Sequence, residues 1–257
     1  MASAPLLEAI EISKQFGGLT ALDRVSFHMY LGTIKALIGP NGAGKSTMLH
    51  VLTGVYAPTS GRMKIKGREV QGWQAHRIAR MGVGRTFQTV QLFGNMTVIE
   101  NVMTGLHLRS RAGLMASVFR MPWMVREEKW VVETAFQYLL DVGLESRALD
   151  MATTLPFGQQ RLLEIARALA SKPDILLLDE PAAGLSTKET EELAVLIQKI
   201  RDSGVGVLVV DHDMRLIMDV SDEVVVLDHG KKIAEGSPRE VQSNPAVISA
   251  YLGEEVA

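Results

Sequence analysis

The sequence predicts an α/β fold with two additions, an N-terminal antiparallel β subdomain and an inserted α-helical subdomain, and three observations carry that expectation. Four short, continuous apolar runs, "IKALIG" (34–39), "DILLLDE" (174–180), "VGVLVVD" (205–211) and "EVVVLD" (223–228), have the pattern of parallel strands covered by helices on both faces. Three stretches in the first third, "LLEAIEIS" (6–13), "RVSFHMY" (24–30) and "RMKIKG" (62–67), alternate apolar and polar side chains as half-buried antiparallel strands do. Roughly residues 89–170 hold no convincing strand and show helical periodicity instead.

Taken in order, the alternating strands and their polar turns build the β subdomain, and "IKALIG" opens the parallel core. Helical spacing is clearest in "VVETAFQYLLDVGL" (131–144) and "RLLEIARALA" (161–170). The division expected is a catalytic core with its β subdomain over 1–88 and 171–257, and a helical subdomain over 89–170. In "SPREVQSNPAVISAYLG" (237–253), Ser237, Pro238 and Glu240 form a capping box with proline at the first helical position, so one closing helix is expected there. A chain of 257 residues buries enough surface for one large domain or a core with a satellite, and leaves little room for a second catalytic domain.

Composition narrows the function classes. Lys and Arg number 27 against 29 Asp and Glu, a net charge of −2 with no basic run, so nucleic acid is disfavoured as a partner. With no cysteine there is no disulfide, thiolate metal site or cysteine nucleophile. "MASAPLLEAIEIS" lacks the basic start and apolar core of a signal peptide, and no stretch has the ~18 apolar residues of a membrane span. A soluble cytosolic chain is expected.

The strongest chemical signal is "GPNGAGKST", Gly39, Pro40, Asn41, Gly42, Ala43, Gly44, Lys45, Ser46 and Thr47. It fits G-x-x-x-x-G-K-[ST] and follows an apolar strand, the context a phosphate-binding P-loop requires. Gly39, Gly42 and Gly44 let the backbone turn its N–H groups inward on phosphate oxygens, and Lys45 adds a point charge on the β and γ phosphates. Ser46 offers a hydroxyl to Mg²⁺, and the helix that starts there offers its dipole to the anion. "ILLLDEP" supplies Asp179 for the Mg²⁺ shell and, one residue on, Glu180 to orient and deprotonate the attacking water. His212, in "LVVDHDM", sits at the end of another buried strand, where side chains reach the ligand edge of a parallel sheet.

In this order and spacing the set resembles the ATPase subunit of ATP-binding cassette (ABC) transporters over nearly the whole chain. The resemblance implies that Phe16 in "KQFGG" stacks on adenine, a role that needs the ring and not a hydroxyl. It implies that Gln88 in "GRTFQTVQLF" contacts Mg²⁺ and the water and links core to helical subdomain, and that His212 is the switch histidine. "LPFGQ" at 155–159 matches the signature loop, so that Pro156, Phe157, Gly158 and Gln159 act on a partner's ATP. "AGLS" at 183–186, with Gly184, Leu185 and Ser186, matches the D-loop, although Ser186 with Glu189 also reads as a helix cap. ATP and Mg²⁺ are the implied ligands, and catalysis belongs to a dimer of two ATPase subunits facing head to tail.

The signature loop departs from the usual pattern, in which a serine donates to the γ-phosphate. Pro156 can donate neither by side chain nor by backbone, which leaves the N–H groups at 157–159 and the helix dipole. One hydrogen bond lost to a charged phosphate costs ~1.5–3 kcal/mol, roughly ten- to a hundredfold in affinity. Phe157, with "RTFQTVQLFGNMTVIEN", "LDEPAAGLSTKET" and "NPAVISAYLGEE", resembles the branched-chain amino acid branch of importer ATPases. That resemblance implies two membrane-spanning permease subunits, a periplasmic or extracellular solute-binding protein, and a peripheral place on the cytoplasmic face of the membrane. Another transport cassette, for lipid, lipopolysaccharide or a different solute, remains an alternative. A translation or DNA-repair cassette is disfavoured, because neither tandem cassettes nor a coiled-coil insertion is present. A non-hydrolytic switch is disfavoured by Glu180, Gln88 and His212. The segment 107–128, rich in Met, Trp, Phe and Arg, reads as a partly buried helical insertion beside the expected docking surface, with a membrane surface or a docking groove as the second reading.

Overall fold

A computed structural model describes residues 4–106 and 122–252. In chain order the elements are β1 (Leu7–Phe16), β2 (Leu19–Met29), β3 (Ile34–Ile38), α1 (Lys45–Leu52), β4 (Ser60–Ile65), β5 (Arg68–Glu69), α2 (Ala75–Arg80) and β6 (Val83–Arg85). Then come α3 (Val98–Gly105), α4 (Pro122–Asp141) and α5 (Phe157–Ala170). The chain returns to the sheet with β7 (Ile175–Asp179), α6 (Thr187–Asp202), β8 (Gly206–Val210), α7 (Met214–Val220), β9 (Glu223–Asp228), β10 (Lys231–Gly236), α8 (Pro238–Gln242) and α9 (Pro245–Leu252). Two compact units result, one of residues 1–88 with 174–257 and one of residues 89–173.

The first unit holds two sheets. The alternating stretches make an antiparallel sheet in the order β2-β1-β4-β5, and the continuous runs make a six-stranded sheet in the order β10-β9-β3-β8-β7-β6. From β9 to β6 every pairing is parallel, and β10 is an antiparallel edge on β9. All five residues of β3, β7 and β8 are buried, which is why these strands carry no polar alternation. α1 adds Met48, Leu49, Val51 and Leu52 to a core that also contains Phe27, Met29, Leu177, Leu208 and Leu227. Each such side chain contributes about 1.5–3 kcal/mol on burial. The three-residue β6 is too short to show a period in the sequence, yet it brings Arg85 to the end of the sheet beside β7.

In the second unit α3 packs on α5 at a point where Gly105 is required: a Cβ there would lie 2.1 Å from the Arg167 carbonyl oxygen and 3.0 Å from the Ala170 Cβ. Thr97 caps α3 in a full capping box with Glu100. Asn101, fully buried, holds the preceding loop by accepting from Phe93 N and donating to the carbonyls of Phe93 and Thr97. No strand is described between 89 and 173, only an isolated bridge between Thr97 and Met151.

The C-terminal segment differs from the single helix expected. Ser237 and Glu240 do form the capping box of α8, but that helix ends after five residues. Asn244 accepts a hydrogen bond from Ala246 N and starts α9 with Pro245 first, because a proline fits a helix start and breaks a helix interior. Of the segment 107–128, residues 107–121 lie outside the described part, and 122–128 form the first turns of α4.

Candidate nucleotide site

The loop from β3 to α1 is shaped by backbone contacts that admit only glycine. A Cβ on Gly39, at φ 148°, would meet the Leu227 carbonyl oxygen at 2.1 Å, and one on Gly44, at φ 104°, would meet that of Ala21 at 2.6 Å. Lys45 Nζ donates to the carbonyls of Gly39 at 2.5 Å and Pro40 at 2.8 Å. Gly44 is the N-cap of α1 and no side chain caps that helix. Beside the loop lies a cavity of about 600 Å³, walled by Phe16, Leu19 to Ala21, Asn41 to Thr47, Gln88, Glu180 and His229.

Each wall has its support. Phe16 is 40% exposed, and its ring is braced by the edge of Tyr56 at 5.2 Å and by the Lys14 ammonium 4.9 Å from its centroid. Behind Tyr56 stands His50, whose imidazole is pushed below its ordinary value by burial and by the Arg85 charge, with Asp179 opposing. Gln88 Nε2 donates to Glu180 Oε2 at 2.9 Å, so the glutamine orients the carboxylate. Glu180 adopts a left-handed backbone, φ 46°, which an L residue keeps only when its surroundings hold it there. Asp179 is buried and accepts from Arg85 Nη2 at 2.9 Å, while Arg85 Nη1 donates to Thr53 Oγ1.

Of the residues singled out in the sequence, Phe16, Asn41 to Thr47, Gln88 and Glu180 thus come together on one cavity. Gly39 and Pro40 form the turn that Lys45 bonds, and Asp179 is buried next to Glu180 in the chain. His212 stands outside the cavity wall with its side chain 71% exposed and Nδ1 3.7 Å from Asp211 Oδ1. Gly184, Leu185 and Ser186 lead into α6, and Ser186 forms a capping box with Glu189, as an ordinary helix cap does. Arg85, Asp211 and His229 were not anticipated. Arg85 had a signal in the charge placed within an otherwise buried strand before Gln88, and Asp211 in a second acid at a strand end. His229 had none, because only the fold carries the β9–β10 turn to this cavity.

In the helical unit Pro156 is the N-cap of α5 and not part of its first turn; Phe157 opens the helix. No side chain caps α5, and its first internal bond runs from Gln160 N to Pro156 O. Phe157 is 46% exposed, its ring 5.7 Å from the Arg161 guanidinium, which is buried and paired with Glu164. A separate cavity of about 470 Å³ in this unit is lined by Met96, Met103, Leu106 and Val131, with Glu100 at its polar side.

The chain belongs to the ABC transporter family. The family profile, "ABC transporter", matches residues 22–183, and a second, "Branched-chain amino acid ATP-binding cassette transporter", matches residues 231–257. The cassette is 46% identical to the high-affinity branched-chain amino acid transport ATP-binding protein BraF of Pseudomonas aeruginosa, over 98% of this chain and 99% of that one. It is 44% identical to LivG of Escherichia coli over the same shares. Among solved structures it is similar to the ADP conformation of the ATP-binding cassette MJ1267, with TM-score 0.85 and 32% identity over 98% of this chain and 100% of that one. It is also similar to a dimeric post-hydrolysis state of the cassette MJ0796 bound to ADP and Pi, with TM-score 0.77 and 26% identity over 91% of this chain and 99% of that one. The chain is therefore an ATP-binding ATPase subunit with the expected α/β cassette fold. ABC ATPase subunits of this kind dimerise and work with membrane permease components. Among the described residues, no helix of the cassette is long and apolar enough to cross a membrane.

Proposed function

We propose that this chain hydrolyses MgATP to drive an importer of branched-chain or related amino acids. The observation that carries the reading is Glu180, held by Gln88 in the wall of the same cavity as Lys45 and Ser46. On binding, Lys45 leaves the carbonyls of Gly39 and Pro40 and turns to the β and γ phosphates, while the bare start of α1 offers its N–H groups. Phe16 takes the adenine ring on its braced face. Glu180 accepts a proton from the water as its oxygen attacks the γ-phosphorus, and the bond to the bridging oxygen of ADP breaks, giving ADP and phosphate.

The residues present suit Mg²⁺, a hard cation that is bound through one or two carboxylates, hydroxyls and substrate phosphates rather than by a protein cage. Asp179 and Ser46 are that donor set, and no cluster of three or more metal-ligating His, Cys, Asp or Glu is found among the described residues. Bound there, Mg²⁺ supplies charge neutralisation to the phosphates.

The relatives named above as branched-chain amino acid transport proteins support the solute class, and the C-terminal match supports the same branch. On this reading the site is completed by a second ATPase subunit, identical or not, whose ATP lies against Pro156, Phe157, Gly158 and Gln159. Gly184, Leu185 and Ser186 face the partner, and His212 reaches the γ-phosphate on closure. Two permease subunits and a solute-binding protein complete the importer at the cytoplasmic face of the membrane. Light scattering on Glu180→Gln, with and without MgATP, tests the core of this: an ATP-dependent dimer is expected. Bound ATP without dimer formation, even with the partner subunits added, would overturn the sandwich. Radiolabelled leucine uptake should fall when the chromosomal copy carries Lys45→Ala; unchanged uptake of leucine, isoleucine and valine would overturn the solute class.

A further inference from the structure

We propose that Asp211 is a positioning residue that fixes the backbone of Glu180 and the loop of His212 at once. The inference rests on the ATPase reading above for what those two residues do, and on the geometry alone for how they are held. Asp211 is 1% exposed, and among the described residues no lysine or arginine pairs with it. Three backbone N–H groups compensate its charge. Oδ1 accepts from His212 N at 2.7 Å and Asp213 N at 2.9 Å, and Oδ2 accepts from Ala182 N at 3.0 Å. One carboxylate thereby ties together the chain leaving β7 and the chain leaving β8, which are 29 residues apart in sequence.

The tie falls where Glu180 needs it. The left-handed conformation of Glu180 is anchored on one side by its own N–H, which donates to the Val210 carbonyl at 2.6 Å. On the other side Pro181 has no N–H to give, so Ala182 carries the first amide after Glu180 that can be held. That amide is the one Asp211 binds. Both anchors therefore come from adjacent residues at the end of β8, and the strained backbone persists because it is fixed from both directions. Asp213, two residues on, shows the contrast: its carboxylate bonds Arg215 N and Leu216 N and caps its own helix.

Asp211→Asn is the discriminating variant, because the amide offers one acceptor oxygen and must present N–H groups to one of the two loops. In the full chain with its partner subunits, kcat for ATP hydrolysis should fall by about a hundredfold, the scale of an ångström misplacement, while ATP affinity stays within about twofold. Asp211→Glu keeps the charge and moves the oxygens, and should lower kcat in the same way. Hydrogen exchange at the Ala182, His212 and Asp213 amides should accelerate in both variants. Turnover of Asp211→Asn within about twofold of the parent would overturn the proposal, as would equal losses of kcat and ATP affinity, the mark of general loosening. Full activity in Asp211→Glu would assign the effect to charge and overturn the positioning role. A parent that hydrolyses no ATP would refute the ATPase mechanism instead, and the exchange at the three amides would then decide the anchoring by itself.

Discussion

Two kinds of helix start stand in contrast in this molecule, with α7, capped by Asp213 alone, between them. α3, α6 and α8 open with a hydroxyl and a glutamate closed on their first amides, through Thr97 with Glu100, Ser186 with Glu189 and Ser237 with Glu240. α1 and α5 open bare, behind Gly44 and Pro156. The short α2, of six residues, also lacks a side-chain cap. A boxed start has its N-cap and third amides satisfied and a carboxylate already set against the positive end of its dipole, so it is a poorer host for an outside anion than a bare start. On the proposed function two of these three bare starts, those of α1 and α5, meet phosphate, one in this subunit and one across the dimer. The signature proline then reads as a cap that withholds a side-chain acceptor from α5 and keeps its end open.

The comparison is most severely tested by separating binding from chemistry at α1. Glu180→Gln should lower phosphate release by about 10²- to 10⁴-fold while nucleotide binding at the loop persists, measured as steady-state turnover beside equilibrium ATP binding. Next in size is Pro156→Asp, which converts a bare start into a capped one. It should raise thermal stability by about 0.5–2 kcal/mol and weaken ATP-driven dimer formation roughly tenfold, because a fixed carboxylate takes the donors that a phosphate needs. A dimer of undiminished affinity in that variant would detach α5 from the ligand.

Removing a box should do the reverse. Thr97→Ala and Ser237→Ala should each cost about 0.5–2 kcal/mol in chemical denaturation and leave ATP binding unchanged. The smallest effect is that of pH. Glu100 is held below the ordinary glutamate value first by the Thr97 backbone N–H, and Glu189 and Glu240 first by the hydroxyls of Ser186 and Ser237. A carboxylate depressed in the folded state stabilises above its unfolded value, and that contribution is lost as pH falls through the folded one. Acid titration of stability should therefore show a weak loss below the ordinary glutamate range. The loss should shrink when Ser237→Ala removes one box.

What the sequence disclosed and what it hid follow from range. The loop 39–47 is contiguous, so its chemistry is spelled by neighbours, and the parallel strands announce themselves because burial on both faces makes them apolar apart from Lys35 and the strand-end Asp179. Ser237 and Glu240 are three residues apart and legible, whereas the break before Pro245 is masked by the helical pattern that runs on past it. Arg85 on Asp179 spans 94 positions, and Asp211 on Ala182 spans 29; no local period encodes either. The left-handed turn at Glu180 was equally hidden, since a glutamate gives no sign of the conformation that glycine would advertise.

The pair of Arg85 with Asp179 bears on what a buried charge at the end of β7 costs the fold. A buried charge with nothing to compensate it is strongly destabilising. Here the guanidinium already faces the carboxylate, and Lys45 already rests on the carbonyls of Gly39 and Pro40. The acid at this strand end is thus compensated from inside the fold, by a side chain 94 positions away.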